Sequence, residues 1–353
     1  MKRFSWMCLC LALPTFGCSR GTVAAAPDQA KVQRELRALG VPVGPFDDVF
    51  PTAEAFTAEG DFKPGVAGLL LKLSHVRSVQ VLDLPMFGVG AARSVAAIPG
   101  LTVIELRGTK ATDAAISALG ECPTLEELVF NSGSKKNPVV TDAGLAGLAK
   151  LKNVKRLWCE GGIVTSKGVA ALEGFSKMEE LNLKGSPLDD SASPHLAKLV
   201  SLTQLNVAGS KMTGKGITQV AAGATHLRHL AMDRSGITDD DIGPIAMMPE
   251  LLHLSIAGTQ VTDAGAATLS KSKSLQSLDI WNTKVTDVGI ISLVTMPQLH
   301  YLYLQDLPLT DVTFTSLLKV PELRALYLKG NKFTDEGLAK FVAARPKVRI
   351  GKY

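Results

Sequence analysis

The 353-residue chain contains few aromatic residues and few cysteines. Aromatic residues make up 5% of the sequence and hydrophobic residues 46%, so leucine, valine and alanine must fill any core. Of the five cysteines, only Cys122 and Cys159 lie beyond the first 20 residues. Two cysteines so far apart favour neither a disulfide framework nor a zinc site, and Cys159 is expected to be a small buried hydrophobic residue.

The sequence also lacks a basic run and a long apolar run. The formal net charge is +5, with the basic residues scattered along the chain, which argues against a nucleic-acid partner. The apolar stretch at residues 4–13 covers about ten residues, too few for a helix that spans a bilayer. A basic start precedes this stretch, and the combination is typical of an export signal.

Residues 15–18, "TFGC", resemble a bacterial lipobox, in which a signal peptidase cuts before a cysteine that becomes lipidated. Gly17 and Cys18 match that pattern, whereas the two residues before them depart from it, since leucine and then a small residue are usual there. Ordinary cleavage within residues 23–26 is the alternative. We therefore expect an exported protein of the cell envelope, anchored in the membrane only by a lipid on Cys18, or else periplasmic or secreted.

The main feature of the chain is an internal repeat. The pattern L-x-x-L-x-L recurs about every 24 residues, and each unit combines a short strand pattern, a turn and a helix-period stretch. No unit can bury its own leucines, so the units must stack around one shared core. The eleven units begin at Val79, Leu101, Leu125, Val154, Met178, Leu202, Leu227, Leu251, Leu275, Leu299 and Leu323, with a strand stub at Val348.

Most units carry a threonine–aspartate pair just before the helix-period stretch. The threonine can cap the helix, and the aspartate then lies at the positive end of the helix dipole. Capping explains these aspartates without metal binding or catalysis. The threonines of the pairs are Thr112, Thr141, Thr238, Thr262, Thr286, Thr310 and Thr334.

The consensus "LxxLxLxGTxVTDxGLxxLxxL" resembles the leucine-rich repeat family, most closely the ribonuclease-inhibitor-like and cysteine-containing classes in a compact bacterial form. The resemblance covers residues 79–353. It implies an α/β fold: a curved, right-handed solenoid with a concave parallel sheet and convex helices. Serine or threonine stands where the cysteine-containing class has cysteine, and no F-box-like segment precedes the repeats, so a ubiquitin-adaptor role is not implied.

The repeat also divides the chain. Residues 1–18 are predicted as a signal peptide, 19–27 as a linker, 28–78 as an N-terminal cap, and 79–353 as the repeat domain. The unit from Leu125 has an insertion around residues 131–139, "NSGSKKNPV", whose composition predicts a protruding loop. This loop is either a plain surface insertion or a contact for a ligand.

Tyrosine and tryptophan concentrate on the predicted concave face. In each unit, positions 3, 5 and 7 alternate with the leucines and point away from the core. Five of the six Tyr and Trp residues beyond Cys18 hold such positions. The predicted ligand-binding residues on this face are Trp158, His229, His253, Asp279, Trp281, Tyr301, Tyr303, Gln305, Tyr327 and Lys329. The alternative is that Tyr303 and Tyr327 merely stack on each other across neighbouring strands.

Two other groups on the concave face have simple interpretations. His229 and His253 are types that ligate metals, but the repeat alone sets their spacing, so we expect solvated surface histidines and no metal. In the N-terminal half, charged residues surround Trp158, and we expect them to form a solvated rim. These residues are Glu105, Glu127, Arg156, Glu160, Glu180 and Lys184.

The sequence therefore predicts a monomeric, non-catalytic scaffold that binds a protein or peptide on its concave face, without a cofactor. The alternative ligand is a carbohydrate, such as a cell-wall glycan, on the same aromatic residues. An enzyme is not expected, because no catalytic triad order, phosphate-binding glycine loop or zinc spacing stands out from the repeat.

Overall fold

The computed structural model describes residues 27–42, 48–49, 51, 55–58, 60–73, 76–84, 86–131 and 140–351. The predicted signal peptide with Cys18, nearly all of the predicted linker and nearly all of the 131–139 insertion lie outside these residues. Within the described part of the chain, no helix is long and apolar enough to cross a membrane.

Thirteen strands in the described residues form one parallel sheet, and every strand lies beside the next one in the chain. This order follows from the repeat, since each unit contributes one strand and then returns through a turn and a helix. The strands are β1 Asp48–Val49, β2 Ser78–Leu82, β3 Val103–Arg107, β4 Glu127–Asn131, β5 Arg156–Glu160, β6 Glu180–Asn182, β7 Gln204–Asn206, β8 His229–Ala231, β9 His253–Ser255, β10 Ser277–Asp279, β11 Tyr301–Tyr303, β12 Ala325–Tyr327 and β13 Arg349–Gly351.

Short helices connect the strands on the other side of the solenoid. They are α1 Pro27–Ala38, α2 Val66–Leu70, α3 Val89–Ala96, α4 Asp113–Leu119, α5 Asp142–Leu148, α6 Ser166–Ala170, α7 Ser193–Leu196, α8 Gly214–Gly223, α9 Ile242–Ala246, α10 Asp263–Leu269, α11 Asp287–Leu293, α12 Val312–Leu317 and α13 Asp335–Ala344. Short 3-10 helices at Asp190–Ala192 and Asp239–Asp241 precede α7 and α9.

The repeat leucines form one continuous core, as predicted. Leu254, Leu278 and Leu302 lie opposite one another in β9, β10 and β11, and all three side chains are buried. Cys159 is buried in the same core, and burial raises the pKa of its thiol to about 12. The prediction of a small buried hydrophobic residue at this position is therefore confirmed.

The first repeat begins earlier than predicted. Val79 lies opposite Ile104, not Leu101, so the unit that follows L-x-x-L-x-L begins at Val76. The sequence allows both frames, because Val79, Leu82 and Leu84 also match the pattern. Leu82 is 54% exposed, and the frame that starts at Val79 is therefore wrong.

The strands at both ends of the sheet differ from the predicted boundaries. Val49, within the predicted cap, pairs with Val79, so residues 28–78 contribute strand β1 to the sheet. At the other end, Ile350 lies opposite Leu326. Val348 therefore lies one position after the place of the unit's first leucine. The stub strand is present, but its register is shifted by one residue.

Aspartates link many of the units to the unit that follows. In one example, Thr286 caps α11 by accepting a hydrogen bond from the Val288 amide (3.2 Å), as predicted. The Asp263 carboxylate of the preceding unit accepts bonds from the Thr286 amide (2.7 Å), the Thr286 hydroxyl (2.7 Å) and the Gly289 amide (3.0 Å). A Cβ on Gly289 would lie 2.5 Å from Asp263 Oδ1, which accounts for glycine at this position.

This link recurs along the solenoid, and we call it the Asp–Thr ladder. The aspartate and the threonine of each pair are 23 to 28 residues apart, so the bond always joins neighbouring units. Helix capping alone therefore does not explain these aspartates. The pairs are Asp113–Thr141, Asp142–Thr165, Asp190–Thr213, Asp239–Thr262, Asp263–Thr286, Asp287–Thr310 and Asp311–Thr334.

Candidate ligand-binding site on the concave face

The strand register aligns the outward-facing side chains into rows that run along the solenoid. The first concave row contains His229, His253, Ser277, Tyr301, Ala325 and Arg349. The second concave row contains Ala231, Ser255, Asp279, Tyr303, Tyr327 and Gly351. Parallel strands lie about 4.8 Å apart, so neighbours in a row are in contact range.

Two tyrosines form the most regular part of the second row. The rings of Tyr303 and Tyr327 are parallel within 5°, with centroids 4.4 Å apart. The Tyr327 ring lies over Gly351, where a Cβ would come within 2.2 Å of the ring. Arg349 Nη2 donates a hydrogen bond to the Tyr327 hydroxyl (3.2 Å), and this bond raises the arginine pKa. The two rings are therefore held on a fixed platform, with both tyrosine side chains partly exposed.

Trp281 lies just after β10, on the edge of the same surface. The Arg234 guanidinium lies 5.5 Å from the centroid of the indole, within the range of a cation–π interaction. The Trp281 amide donates a hydrogen bond to Asp279 Oδ1 (3.1 Å), which fixes the backbone where the tryptophan leaves the sheet. Trp281 is partly exposed.

The two histidines of the first row stack on each other. Their ring centroids are 4.2 Å apart, and the rings are within 14° of parallel. Burial and, to a smaller extent, the neighbouring His253 and Arg228 lower the pKa of His229 to about 4. Burial also lowers the pKa of His253. The expectation of fully solvated histidines is wrong, because each ring covers one face of the other and both side chains are only partly exposed.

Two carboxyl groups lie beside these histidines. The Ser255 hydroxyl donates a hydrogen bond to Asp233, and the Ala257 amide donates another (3.1 Å). Burial raises the pKa of Asp279 to about 8, and the negative charge of Asp233 also contributes. A shallow depression lined by the histidines, Ser255, Ser277 and Asp279 opens at this point of the face. At neutral pH this part of the surface carries polar but mostly uncharged groups.

In the N-terminal half of the concave face, charged side chains form ion pairs and hydrogen bonds with one another. Arg156 forms ion pairs with Glu127 and Glu180, both at 2.7 Å. The indole nitrogen of Trp158 donates to Glu180 at 2.7 Å, and the Arg107 guanidinium lies 5.7 Å from the ring centroid. Glu180 is only 8% exposed, so the expectation of a solvated residue is wrong for Glu180.

Comparisons with known proteins agree with the repeat fold. A family model described as "Leucine Rich repeat" matches residues 321–342. An internalin from Listeria monocytogenes superposes with a TM-score of 0.57 at 19% identity, covering 91% of this chain and 88% of the internalin chain. The chain has the leucine-rich repeat solenoid fold.

A second solved structure shares the leucine-rich repeat fold at lower coverage. A chain of the mouse RP105/MD-1 complex superposes with a TM-score of 0.54 at 13% identity, covering 80% of this chain and 51% of the mouse chain. Comparison with curated protein sequences gives no match. At these identities, the two structures establish the fold of the solenoid.

The leucine-rich repeat structure brings most of the predicted ligand-binding residues together. His229, His253, Asp279, Tyr301, Tyr303 and Tyr327 lie in the two concave rows, and Trp281, Gln305 and Lys329 follow directly after β10, β11 and β12. Trp158 lies apart from them on β5, and its indole is occupied by Glu180 and Arg107. The binding role of all these residues stays a prediction.

Two arginines beside the predicted ligand-binding residues were not predicted from the sequence. Arg349 occupies the first concave row on β13, and it reaches Tyr327. Its unit position would have identified it, had the register of the last strand been assigned correctly. Arg234 lies outside positions 3, 5 and 7 and adopts a left-handed backbone conformation (φ 53°), so the repeat pattern gave no signal for it.

The solenoid surface offers contact area and hydrogen-bonding groups. Among the described residues, no group of three or more His, Cys, Asp and Glu side chains is arranged to hold a metal ion. The tyrosine hydroxyls and the indole add polar groups to large apolar surfaces, a combination that is common in binding sites.

Proposed function

We propose that this protein is a non-catalytic binding scaffold of the bacterial cell envelope that holds a protein or peptide on the C-terminal half of its concave face. The observation that carries the proposal is the cluster of partly exposed rings at Trp281, Tyr301, Tyr303 and Tyr327. Tyrosine and tryptophan are enriched among the residues that dominate binding energies at protein interfaces.

The rings are also held in place before any ligand arrives. Tyr303 is stacked on Tyr327, and Trp281 lies beside Arg234, so these side chains lose little conformational freedom when a partner binds. The strands beneath them are fixed by buried leucines such as Leu302. A rigid aromatic surface of this kind favours recognition by contact area over chemistry on a bound substrate.

The position of the proposed surface follows from the contrast between the two halves. In the N-terminal half, Trp158 and Arg156 already have partners in Glu180 and Glu127. A ligand there would have to displace ion pairs before it gained contacts. A chain of the mouse RP105/MD-1 complex has the same fold, which provides an example of such a solenoid within a protein complex.

A carbohydrate ligand, such as a cell-wall glycan, is the second candidate. It is favoured by the polar depression lined by His253 and Asp279, where His253 Nδ1 is buried without a hydrogen-bond partner among the described residues. A glycan array tests this candidate. Binding by the wild type that is lost in Trp281→Ala would support a glycan, whereas an array with no binding would exclude the glycans it displays.

Affinity capture from envelope extracts tests the main proposal. The bait is the wild-type protein, and the test variant is Tyr303→Ala/Tyr327→Ala. The matched control is Val288→Ala/Ile291→Ala, which removes apolar surface from convex residues that are 63% and 47% exposed. We expect a protein partner that the wild type and the control retain, with an affinity at least about 30-fold weaker for the tyrosine variant (about 2 kcal/mol).

The capture experiment has clear contrary outcomes. A partner that binds the tyrosine variant as well as the wild type would show that the rings are only a stacked strand surface. A partner lost in the Val288→Ala/Ile291→Ala control would move the binding site to the convex side. Thermal melts of each variant establish that lost binding does not reflect lost folding.

A further inference from the structure

The two halves of the concave face differ in how their cations are neutralised. In the N-terminal half, acidic neighbours hold the basic side chains in ion pairs of 2.7 to 3.1 Å: Arg107 with Glu105, Arg156 with Glu127 and Glu180, and Lys184 with Glu160. At the C-terminal end, Lys329 and Arg349 are exposed. Neither has an acidic partner within 4.0 Å among the described residues.

The unpaired cations adjoin the tyrosine platform. Arg349 follows Ala325 in the first concave row and binds the Tyr327 hydroxyl through Nη2. A guanidinium has five N–H donors in a planar fork that matches a carboxylate, and the bond to Tyr327 uses one of them. Lys329 lies two residues after Tyr327, just beyond the end of β12. Positive charge and aromatic surface therefore coincide at this end of the solenoid.

Further basic residues extend the same charge. Arg324 and Lys347 are exposed next to β12 and β13, and neither forms an ion pair among the residues that the structure describes. Arg345 instead donates to the Leu318 and Val320 carbonyl oxygens, so it holds the end of α13 in place. The four basic residues Lys329, Arg349, Arg324 and Lys347 outnumber the two exposed acids nearby, Asp306 and Glu322, and the net positive charge attracts a partner of opposite charge and speeds its association.

We propose that the C-terminal end of the concave face binds an acidic peptide segment. Its carboxylates face Lys329 and Arg349, and its apolar side chains lie on the rings of Tyr303 and Tyr327. This inference rests on the proposed binding function and names the chemistry of the partner. The internal ion pairs of the N-terminal half confine the attraction to one end, which also gives the bound segment a position on the sheet.

Selection from a display library of random twelve-residue peptides tests the inference. We expect peptides retained by the wild type to be enriched in aspartate and glutamate together with apolar residues. The charge-reversed variant Lys329→Glu/Arg349→Glu should bind the selected acidic peptides at least about tenfold more weakly. In its own selection it should enrich lysine and arginine. The matched control, Lys271→Glu/Lys273→Glu, reverses two exposed charges elsewhere and should select as the wild type does.

The outcomes separate this inference from the proposed function. Peptides that show no acidic enrichment but still require Tyr303 and Tyr327 would overturn the inference and leave the binding function standing. Selection by the charge-reversed variant that matches the wild type would also overturn it. Retention of the wild type on dextran sulfate without any selected peptide would assign the patch to an anionic glycan and overturn the peptide inference. Circular dichroism of each variant verifies folding.

Discussion

Asp279→Asn should make the protein more stable, and increasingly so as the pH rises. The aspartate carboxyl lies on the second concave row, where burial and the charge of Asp233 raise its pKa to about 8. An asparagine has the same shape and can still accept the hydrogen bond from the Trp281 amide. The substitution therefore removes the ionisation of residue 279 and keeps the contact.

The sign and size of this pH-dependent stabilisation follow from proton linkage. An aspartate in the unfolded chain ionises near pH 4, so between pH 5 and pH 8 the folded protein holds a proton that the unfolded chain has lost. The stability of the wild type is complete below pH 4 and falls as the pH rises towards 8, by about 1.4 kcal/mol per pH unit. The advantage of Asp279→Asn should therefore grow by about 4 kcal/mol at most between pH 5 and pH 8, and remain constant above that range.

Urea denaturation at several pH values, followed by tryptophan fluorescence, measures this advantage. The difference between variant and wild type removes the opposing contribution of His229, whose pKa of about 4 makes stability rise with pH from 4 to 6.5. Asp240→Asn, at an exposed aspartate, is the control and should show no such trend. A difference for Asp279→Asn that stays constant from pH 5 to pH 8 would refute the reasoning.

Three further predictions concern the core, the ladder and the N-terminus. In thermal or urea melts, Leu302→Ala should lower the free energy of unfolding by roughly 2 to 5 kcal/mol, because it opens a core cavity. Tyr303→Ala should lower it by only about 1 kcal/mol, through lost stacking. Equal losses would contradict the strand register. In the same assay, Asp263→Ala should lower the free energy of unfolding by about 3 kcal/mol, because three hydrogen bonds to the next unit are lost. The control Asp335→Ala, at an exposed aspartate, should lower it by less than about 1 kcal/mol. Similar losses would contradict the role of the Asp–Thr ladder. Mass spectrometry of the mature N-terminus should find an acylated Cys18; a free N-terminus at residues 23–26 would indicate ordinary cleavage.

The fold could be predicted because the same sequence pattern recurs in every unit of the repeat. Each unit offers the same leucine spacing, so an ambiguous unit is corrected by its neighbours, and the strand order follows directly. The error at the first unit arose where this redundancy ends. Val79 fits two frames there, and the pairing of Val79 with Ile104 and the exposure of Leu82 separate them.

The candidate site could be predicted only in part. The repeat places Tyr303 and Tyr327 on one face, but whether a side chain is already occupied depends on its neighbours. Trp158 holds the same kind of position as Tyr303, yet its indole nitrogen is bound by the Glu180 carboxylate. The contacts of His229 with His253 likewise depend on side-chain conformations that the spacing does not specify.

The Asp–Thr ladder also bears on how such a chain can change in length. The units that begin at Leu125, Leu251, Leu275 and Leu299 each present an aspartate to the unit that follows and a threonine to the unit that precedes, as Asp263 and Thr262 show. Any of these four units can therefore be duplicated or deleted, and the new junctions still form the aspartate–threonine bonds. The rings at Tyr303 and Tyr327 have no such freedom, since a unit inserted between them would separate the pair. Variation in unit number should thus be tolerated beside these four units, except between β11 and β12.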